Sequence, residues 1–398
     1  MEKLIVDDIN VEGKRVLMRV DFNVPLEDGR VANDKRIKAA CPTIKYIIAN
    51  GGKLILMSHL GRPKGEKIPE MSLKPCVDVL GKLIGKDISF VDDCVGEKVL
   101  SAVENLNNGD ILLMENLRYY KEETENEKEF ARKLSKIGDV YVNDAFGTAH
   151  RAHASTEGVT HFIDQCASGY LLMKEIDYLG NVMEKPEKPF VAVLGGAKIS
   201  GKIDVISNLL PRVEKLIIGG GMAYTFFKAK GLEIGKSLLE EDKVELAKKL
   251  LDDAGDKILL PVDCVISDLF DFDNRKVGEL KGVDVNSIPP GWLGLDIGEK
   301  TIELFRAVLK NAKTVVWNGP MGVFEIKDTS KGTYAIAYVL AEATENGAVT
   351  IIGGGDSASA VKKAGVSNKV SHVSTGGGAS LEFLEGKILP GIAALTDK

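Results

Sequence analysis

Residues 349–365 read VTIIGGGDSASAVKKAG, and this stretch decides the fold. Positions 349–352 form a short β-branched run of the length a buried strand needs, and Gly353, Gly354 and Gly355 cut it off. Asp356 and Ser357 then open a segment of helical spacing, because a short polar side chain satisfies free N–H groups in a first helical turn. A strand that passes through glycine into a helix is the building unit of a parallel α/β sheet. The same unit recurs outward from here. Val193-Leu194 leads to Gly195-Gly196-Ala197-Lys198, Ile217-Ile218 to Gly219-Gly220-Gly221, and Val373-Ser374-Thr375 to Gly376-Gly377-Gly378. Glycine adopts positive φ and lets backbone approach a phosphate closely, while a helix start offers N–H groups to it. One such cluster says no more than a tight turn; four in one half of a chain point to a nucleotide cleft.

Along the whole chain, short apolar runs alternate with longer segments of helical period. Strands are expected at 16–20, 54–57, 88–91, 111–114 and 140–142, then at 190–194, 216–218, 258–260, 314–317, 349–352 and 370–373. Eleven strands exceed a comfortable single sheet, and 398 residues suit two or three domains at about 100–200 residues each. The expectation is an α/β protein of two Rossmann-like domains, each a largely parallel sheet flanked by helices. Residues 171–189, LLMKEIDYLGNVMEKPEKP, start as a helix that Pro186 and Pro189 stop, and are read as a hinge helix joining the domains. Within the charged stretch 119–136, Thr124-x-x-Glu127 fits a capping box opening a solvated helix.

Composition narrows the function classes. Lys and Arg total 52 against 58 Asp and Glu, a net charge of −6, so the basic footprint of a nucleic-acid binder is missing. No apolar run approaches the roughly 20 residues that span a bilayer. The start, MEKLIVDDIN, carries acids where a signal peptide needs a basic and then an apolar stretch. Five scattered cysteines never form CxxC, so neither structural zinc nor a disulfide framework is expected, and a cytoplasmic location is. Glycine is in surplus, 42 residues or about 11% against a usual 7% or so.

In parallel sheets, ligands bind beyond the carboxyl ends of strands. In the first half those positions are polar and basic: Asp21-Phe22-Asn23, Ser58-His59-Leu60-Gly61-Arg62, Glu115-Asn116-Leu117-Arg118, and Asn143-Asp144 onward to His150-Arg151, with Arg36 soon after the first loop. Of 11 arginines, 8 precede residue 171. Arginine's planar fork pairs bidentately with phosphate or carboxylate, so Arg36, Arg62, Arg118 and Arg151 together imply a small polyanion. In the second half, Gly196-x-x-x-x-Gly201-Lys202 begins like a P-loop, but Ile203 stands where Ser or Thr would hold Mg²⁺. A P-loop ATPase is therefore rejected, with Lys198 and Lys202 kept as phosphate-facing cations. The absence of GxGxxG argues against a nicotinamide dehydrogenase, and a purely anion-binding scaffold would leave the second-half glycines and lysines unexplained. His150 and His153 lack a third zinc-type ligand, whereas Asp356 at a glycine-rich helix start suits a Mg²⁺ contact.

These residues in this order resemble the phosphoglycerate kinase family over essentially the whole chain. The likeness runs through RVDFNVP (19–25), SHLGRP (58–63), ENLR (115–118), NDAFGTAHRAHAS (143–155), GGAKIS (195–200), GGGMAYTF (219–226), WNGPMGVFE (317–325), GGGDS (353–357) and STGGGAS (374–380). The resemblance implies reversible, Mg²⁺-dependent phosphoryl transfer between 1,3-bisphosphoglycerate and ADP, giving 3-phosphoglycerate and ATP, by a monomeric enzyme with small-molecule partners. It implies a substrate domain at 1–170, a hinge at 171–189, a nucleotide domain at 190–378, and a return of 379–398 to the first domain. Asp21, Asn23, Arg36, His59, Leu60, Gly61, Arg62, Arg118 and Arg151 would then hold the phosphoglycerate. Gly195, Gly219, Gly220 and Gly294 would line the adenine slot, with Asn318, Pro320 and Glu325 near ribose and phosphates. Lys198, Lys202, Gly354, Gly355, Asp356 and Ser357 would take the phosphate chain, with Asp356 towards the metal. Arg36, Lys198, Lys202, Gly354 and Gly377 would surround the phosphoryl group in flight. Gly201 and Leu293 stand where relatives often carry Asp and Met, and neither change removes a type of contact.

Overall fold

The computed structural model describes residues 2–398. The chain forms two compact units, one running to Gly180 and including Ile388–Lys398, the other spanning Asn181–Lys387. The first unit is built on β1 (Arg15–Arg19), β2 (Lys53–Met57), β3 (Ser89–Val91), β4 (Ile111–Met114), β5 (Val140–Asn143) and β6 (Cys166–Ser168), in the order β3-β4-β2-β1-β5-β6 with every pair parallel. The central strands are buried along nearly their whole length because helices cover both faces, which is why they read as unbroken apolar runs rather than alternating ones. Chain order reverses at β1, whose neighbours are β2 on one side and β5 on the other, so a crevice opens beyond its carboxyl end.

The second unit repeats the plan with β7 (Phe190–Leu194), β8 (Lys215–Ile218), β9 (Ile258–Leu259), β10 (Asp263–Ser267), β11 (Leu280–Asp284), β12 (Leu293–Ile297), β13 (Thr314–Asn318), β14 (Val349–Gly353) and β15 (His372–Val373). Its parallel sheet runs β9-β8-β7-β13-β14-β15 and reverses between β7 and β13. A separate antiparallel sheet, β11-β10-β12, stands beside it, together with a hairpin pairing Phe270–Asp271 with Lys276–Val277. Val191, Val193, Val315, Trp317 and Ile352 from the parallel sheet pack with Phe305, Leu309, Ile336 and Leu340 from two flanking helices into one core.

All eleven expected strands are present, with ends shifted by at most two residues. Not anticipated were β6, the antiparallel sheet and two short hairpins, one of them pairing Leu26–Glu27 with Arg30–Val31. Their pattern is weak for a physical reason: β11 reads LKGVD with mostly open faces, so no apolar period marks it. The capping box is corrected. Thr124 ends the short helix Lys121–Thr124, and its hydroxyl donates to the Lys121 carbonyl instead of capping. Glu127 itself caps the next helix, Lys128–Ser135, accepting from the N–H groups of Glu129 and Phe130 at 2.9 and 2.7 Å. Of residues 379–398, the helix Gly378–Leu384 packs on the helix Ile203–Leu209 in the second unit, and Ile388–Lys398 lie with the first.

Phe305 is wholly buried in the second unit's core. Phe305→Ala should cost that unit about 3–5 kcal/mol, the usual range for emptying an aromatic site. Urea unfolding followed by the two tryptophans, Trp292 and Trp317, checks this, and a midpoint unchanged from the parent would contradict the packing described.

Candidate functional site

In the first unit, the carboxyl ends of β1, β2, β4 and β5 deliver a polar cluster knitted by short-range bonds. Arg36 reaches back from the start of the helix Lys35–Ala49 to grip both oxygens of Asp21, at 2.9 and 2.8 Å, and the Asn23 carbonyl at 3.2 Å. The Asn23 side chain accepts from Gly61 N–H at 2.9 Å, and Asn116 pins Leu60 through both its carbonyl and its N–H. The loop 58–62 is therefore fixed from two directions, and Leu60, 4% exposed, serves it as an apolar anchor.

Arg62, Arg118 and Arg151 surround one cavity of about 320 Å³, joined by Lys64, Thr124 and His153. Arg118 donates to the Gly61 carbonyl at 2.7 Å, while its Nε is buried without a partner. Burial above all, with the nearby charges of Arg19 and Arg151, pulls the Arg118 guanidinium down to about 10. Burial and the same positive field push His153 down to about 3 and His59 well below the ordinary histidine range. Burial is the larger cause of each shift and neighbouring positive charge the smaller one, and a small polyanion would oppose the latter. Asp21, Asn23 and Arg36 form their own group beside the loop, and His59 is held from beneath by Arg19. Lys64, His153 and Arg19 were missed from the sequence. In the sequence His153 stands out only as one of a pair with His150, and Arg19 lies inside a strand, where only the oddity of a charge in an apolar run marks it.

The second unit offers a different surface, a cavity of about 310 Å³ lined by backbone and apolar side chains. Gly220, Gly294, Pro320, Glu325 and Asp356 line it, joined by Leu238, Phe270, Phe272 and Leu293. Two glycines are sterically required. At Gly294 a Cβ would fall on the Tyr224 hydroxyl, and Gly220 has φ +69 with Gly196 and Pro320 backbone atoms within 2.8 Å of where its Cβ would sit. Gly195 and Gly219 do not line the cavity; they let the loop 319–321 close against the ends of β7 and β8, where Gly195 N–H donates to Asn318 and Gly220 N–H to Met321, both at 3.0 Å.

Lys202, on which the Asp356 charge acts, precedes the helix Ile203–Leu209 and bonds the Asn318 side-chain oxygen, leaving Asn318 Nδ2 buried and unpartnered. Burial draws Lys202 down to about 8. Gly354, at φ +85, turns the chain into the helix Gly355–Lys363, whose first turn presents exposed Asp356. Ser357 is different from expectation: its hydroxyl is fully buried and accepts from Gly319 N–H at 2.6 Å, so it holds the loop. Lys198 is exposed, and Gly377, at φ +49, precedes the helix Gly378–Leu384. Gly201 has open space around it, and Leu293 packs into the cavity wall. Among the described residues, no group of three or more His, Cys, Asp or Glu is placed to hold a metal. A cation here would rest on Asp356 and on phosphates, which is how Mg²⁺ is commonly held, with its remaining positions filled by water.

The comparisons agree with this geometry. A family model described as phosphoglycerate kinase matches residues 6–387. The chain is 57% identical over 401 residues to the phosphoglycerate kinase of Chloroherpeton thalassium and 54% identical to that of Prosthecochloris aestuarii, with 100% of each chain covered in both cases. Among solved structures it is similar to phosphoglycerate kinase from Coxiella burnetii (TM-score 0.89, 39% identity) and from Pyrococcus horikoshii (TM-score 0.84, 33% identity), with 98% of both chains covered each time.

The Lys202 ammonium has a pH signature. With its pKa lowered to about 8, it is charged below that pH and loses its charge as pH rises through it. Phosphate oxygens favour the charged form, so nucleotide affinity should fall above pH 8, by up to about tenfold per pH unit. Calorimetric titration of ADP at several pH values checks this. Lys202→Arg, which stays charged, should flatten the profile.

Proposed function

This chain belongs to the phosphoglycerate kinase family, and on that premise we propose how its residues divide the reaction. The enzyme transfers a phosphoryl group reversibly between 1,3-bisphosphoglycerate and ADP, giving 3-phosphoglycerate and ATP. The first unit takes the phosphoglycerate and the second the nucleotide. What carries this reading is the contrast between the two cavities: one walled by Arg62, Arg118 and Arg151, the other a largely apolar, glycine-walled slot that suits a flat base and reaches Asp356 in the first turn of a helix.

The acceptor oxygen is a carboxylate, already ionised near neutral pH, so no general base is needed. That accounts for a site rich in donors and without a nucleophile motif. In-line transfer then depends on placement and on neutralising charge over the equatorial oxygens. Arg62, Arg118 and Arg151 hold the acid's phosphate, Arg36 is kept straight by Asp21 to meet the reacting carboxyl end, and Lys198, Lys202 and the N–H groups near Gly354 and Gly377 face the moving group. Mg²⁺ would be held by Asp356 and supply charge to the nucleotide phosphates. Because the two ligands sit on separate units, each turnover must bring them together and exclude water, with the helix Tyr170–Glu184 and the segment after it as hinge. A cytoplasmic monomer is consistent with five free, buried cysteines, and with exposed apolar side chains such as Leu238 and Phe272 that belong to the nucleotide cavity. No helix is long and apolar enough to cross a membrane.

Two experiments test this reading. Incubation with ATP, Mg²⁺ and 3-phosphoglycerate should yield an acyl phosphate that hydroxylamine traps; absence of trapped product would refute the activity. Arg36→Ala should lower kcat by about 10²–10³ while leaving ADP affinity nearly unchanged, as expected for loss of one preorganised donor. A parallel loss of ADP binding would sink the division between the units.

A further inference from the structure

Arg19, the last residue of β1, has no exposed surface. Its Nε donates to Ser155 Oγ at 2.8 Å, one terminal nitrogen donates to the Val20 carbonyl, and the other stands 3.1 Å from His59 Nδ1. Its counter-charge is Glu123, also fully buried, which accepts from Ser155 Oγ at 2.6 Å and from Ser155 N–H at 3.0 Å. Three separate partners fix the guanidinium plane, a geometry that a lysine ammonium on a flexible stem would not reproduce.

A guanidinium carries N–H donors only and stays charged. A ring nitrogen facing it therefore has one compatible state, a bare lone pair that accepts. An imidazole with Nδ1 unprotonated carries its proton on Nε2. We propose that Arg19 is a positioning residue that holds His59 as the Nε2–H tautomer, so that His59 meets the phosphoglycerate as a neutral hydrogen-bond donor while Arg19 touches no ligand. This rests on the reading of His59 as a substrate contact. The surrounding field agrees with it, since burial and the charges of Arg19, Arg118 and Arg36 all disfavour a second proton on the ring. The arrangement separates two tasks that arginine usually combines: Arg62, Arg118 and Arg151 present charge to the cavity, and Arg19 spends its donors on orienting a neighbour.

The test uses the full chain with ¹⁵N-labelled histidine, the five ring systems being assigned with the help of His59→Gln. In the ligand-free parent, His59 should show Nδ1 unprotonated and Nε2 protonated. Arg19→Met should move the ring to a mixture of tautomers and raise KM for 3-phosphoglycerate about tenfold or more, the loss of one charge-assisted bond, with KM for ATP unchanged. Arg19→Lys should not restore the parent spectrum. A parent ring protonated on Nδ1, or a tautomer that stays put in Arg19→Met, overturns the proposal. A tautomer shift with KM for 3-phosphoglycerate unchanged overturns instead the reading of His59 as a substrate contact. If Arg19→Met does not fold because Glu123 is stranded, the double variant Arg19→Met/Glu123→Gln removes both charges, and the parent spectrum is decisive on its own.

Discussion

Both main sheets are wholly parallel, so each of their six strands delivers its next residue to the same edge. That constraint organises everything else. It gathers Asp21, His59, Arg118 and Asp144 from strands far apart in sequence, and in the second unit Gly195, Gly219, Gly319 and Gly354. Parallel strands need long crossovers, and those crossovers are the helices whose first turns arrive at the same edge with free N–H groups. Donors therefore accumulate there without any residue being chosen for charge. The side chains then decide which anion each edge prefers.

The two units resolve that choice in opposite ways. The first adds arginines and buries two of them, Arg19 and Arg118, at an electrostatic cost visible in Arg118, His153 and His59. Arg19 and Glu123, both buried, are linked there through the Ser155 hydroxyl, so the charge of Glu123 offsets part of that positive density. The second unit removes side chains instead. Its close backbone contacts, as between Gly220 and the loop 319–321, leave a largely apolar slot with Lys236, Glu325 and Asp356 among its few charged walls. A charged three-carbon acid and a nucleotide with a flat base make matching demands.

Much of this was legible in the sequence because it depends on local signals. Buried parallel strands are continuous apolar runs, and a glycine cluster after one marks a close approach of backbone. Arg36, Arg62, Arg118 and Arg151 were found by their position after strands. What stayed hidden depends on tertiary pairing. Whether a hydroxyl such as that of Ser357 faces a ligand or a loop is decided by Gly319, 38 residues away in sequence. Glu123 looks like an ordinary surface charge until folding buries it against Ser155, and Arg19, odd as a charge in an apolar run, gets its partners only from the fold. The antiparallel sheet that supplies Leu293 to the cavity has half-open faces and so no period to read.

Two of the buried polar atoms left without a partner lie where ligands are expected. Buried polar atoms are nearly always paired, and one left alone costs about 1–3 kcal/mol. Arg118 Nε in the first unit and Asn318 Nδ2 in the second are two such atoms, each beside the residues assigned to an anion. Lys202 belongs with them, because burial lowers its pKa to about 8 and so loosens its hold on the proton. Each unit therefore carries an unpaired donor beside a buried cation, a local deficit that an anion placed there would make good. Ligand binding then completes a hydrogen-bond network instead of merely filling a space. By linkage, whatever satisfies these donors in the folded state also stabilises the unit that holds it. An edge built to be incomplete gains both affinity and order when the substrate arrives.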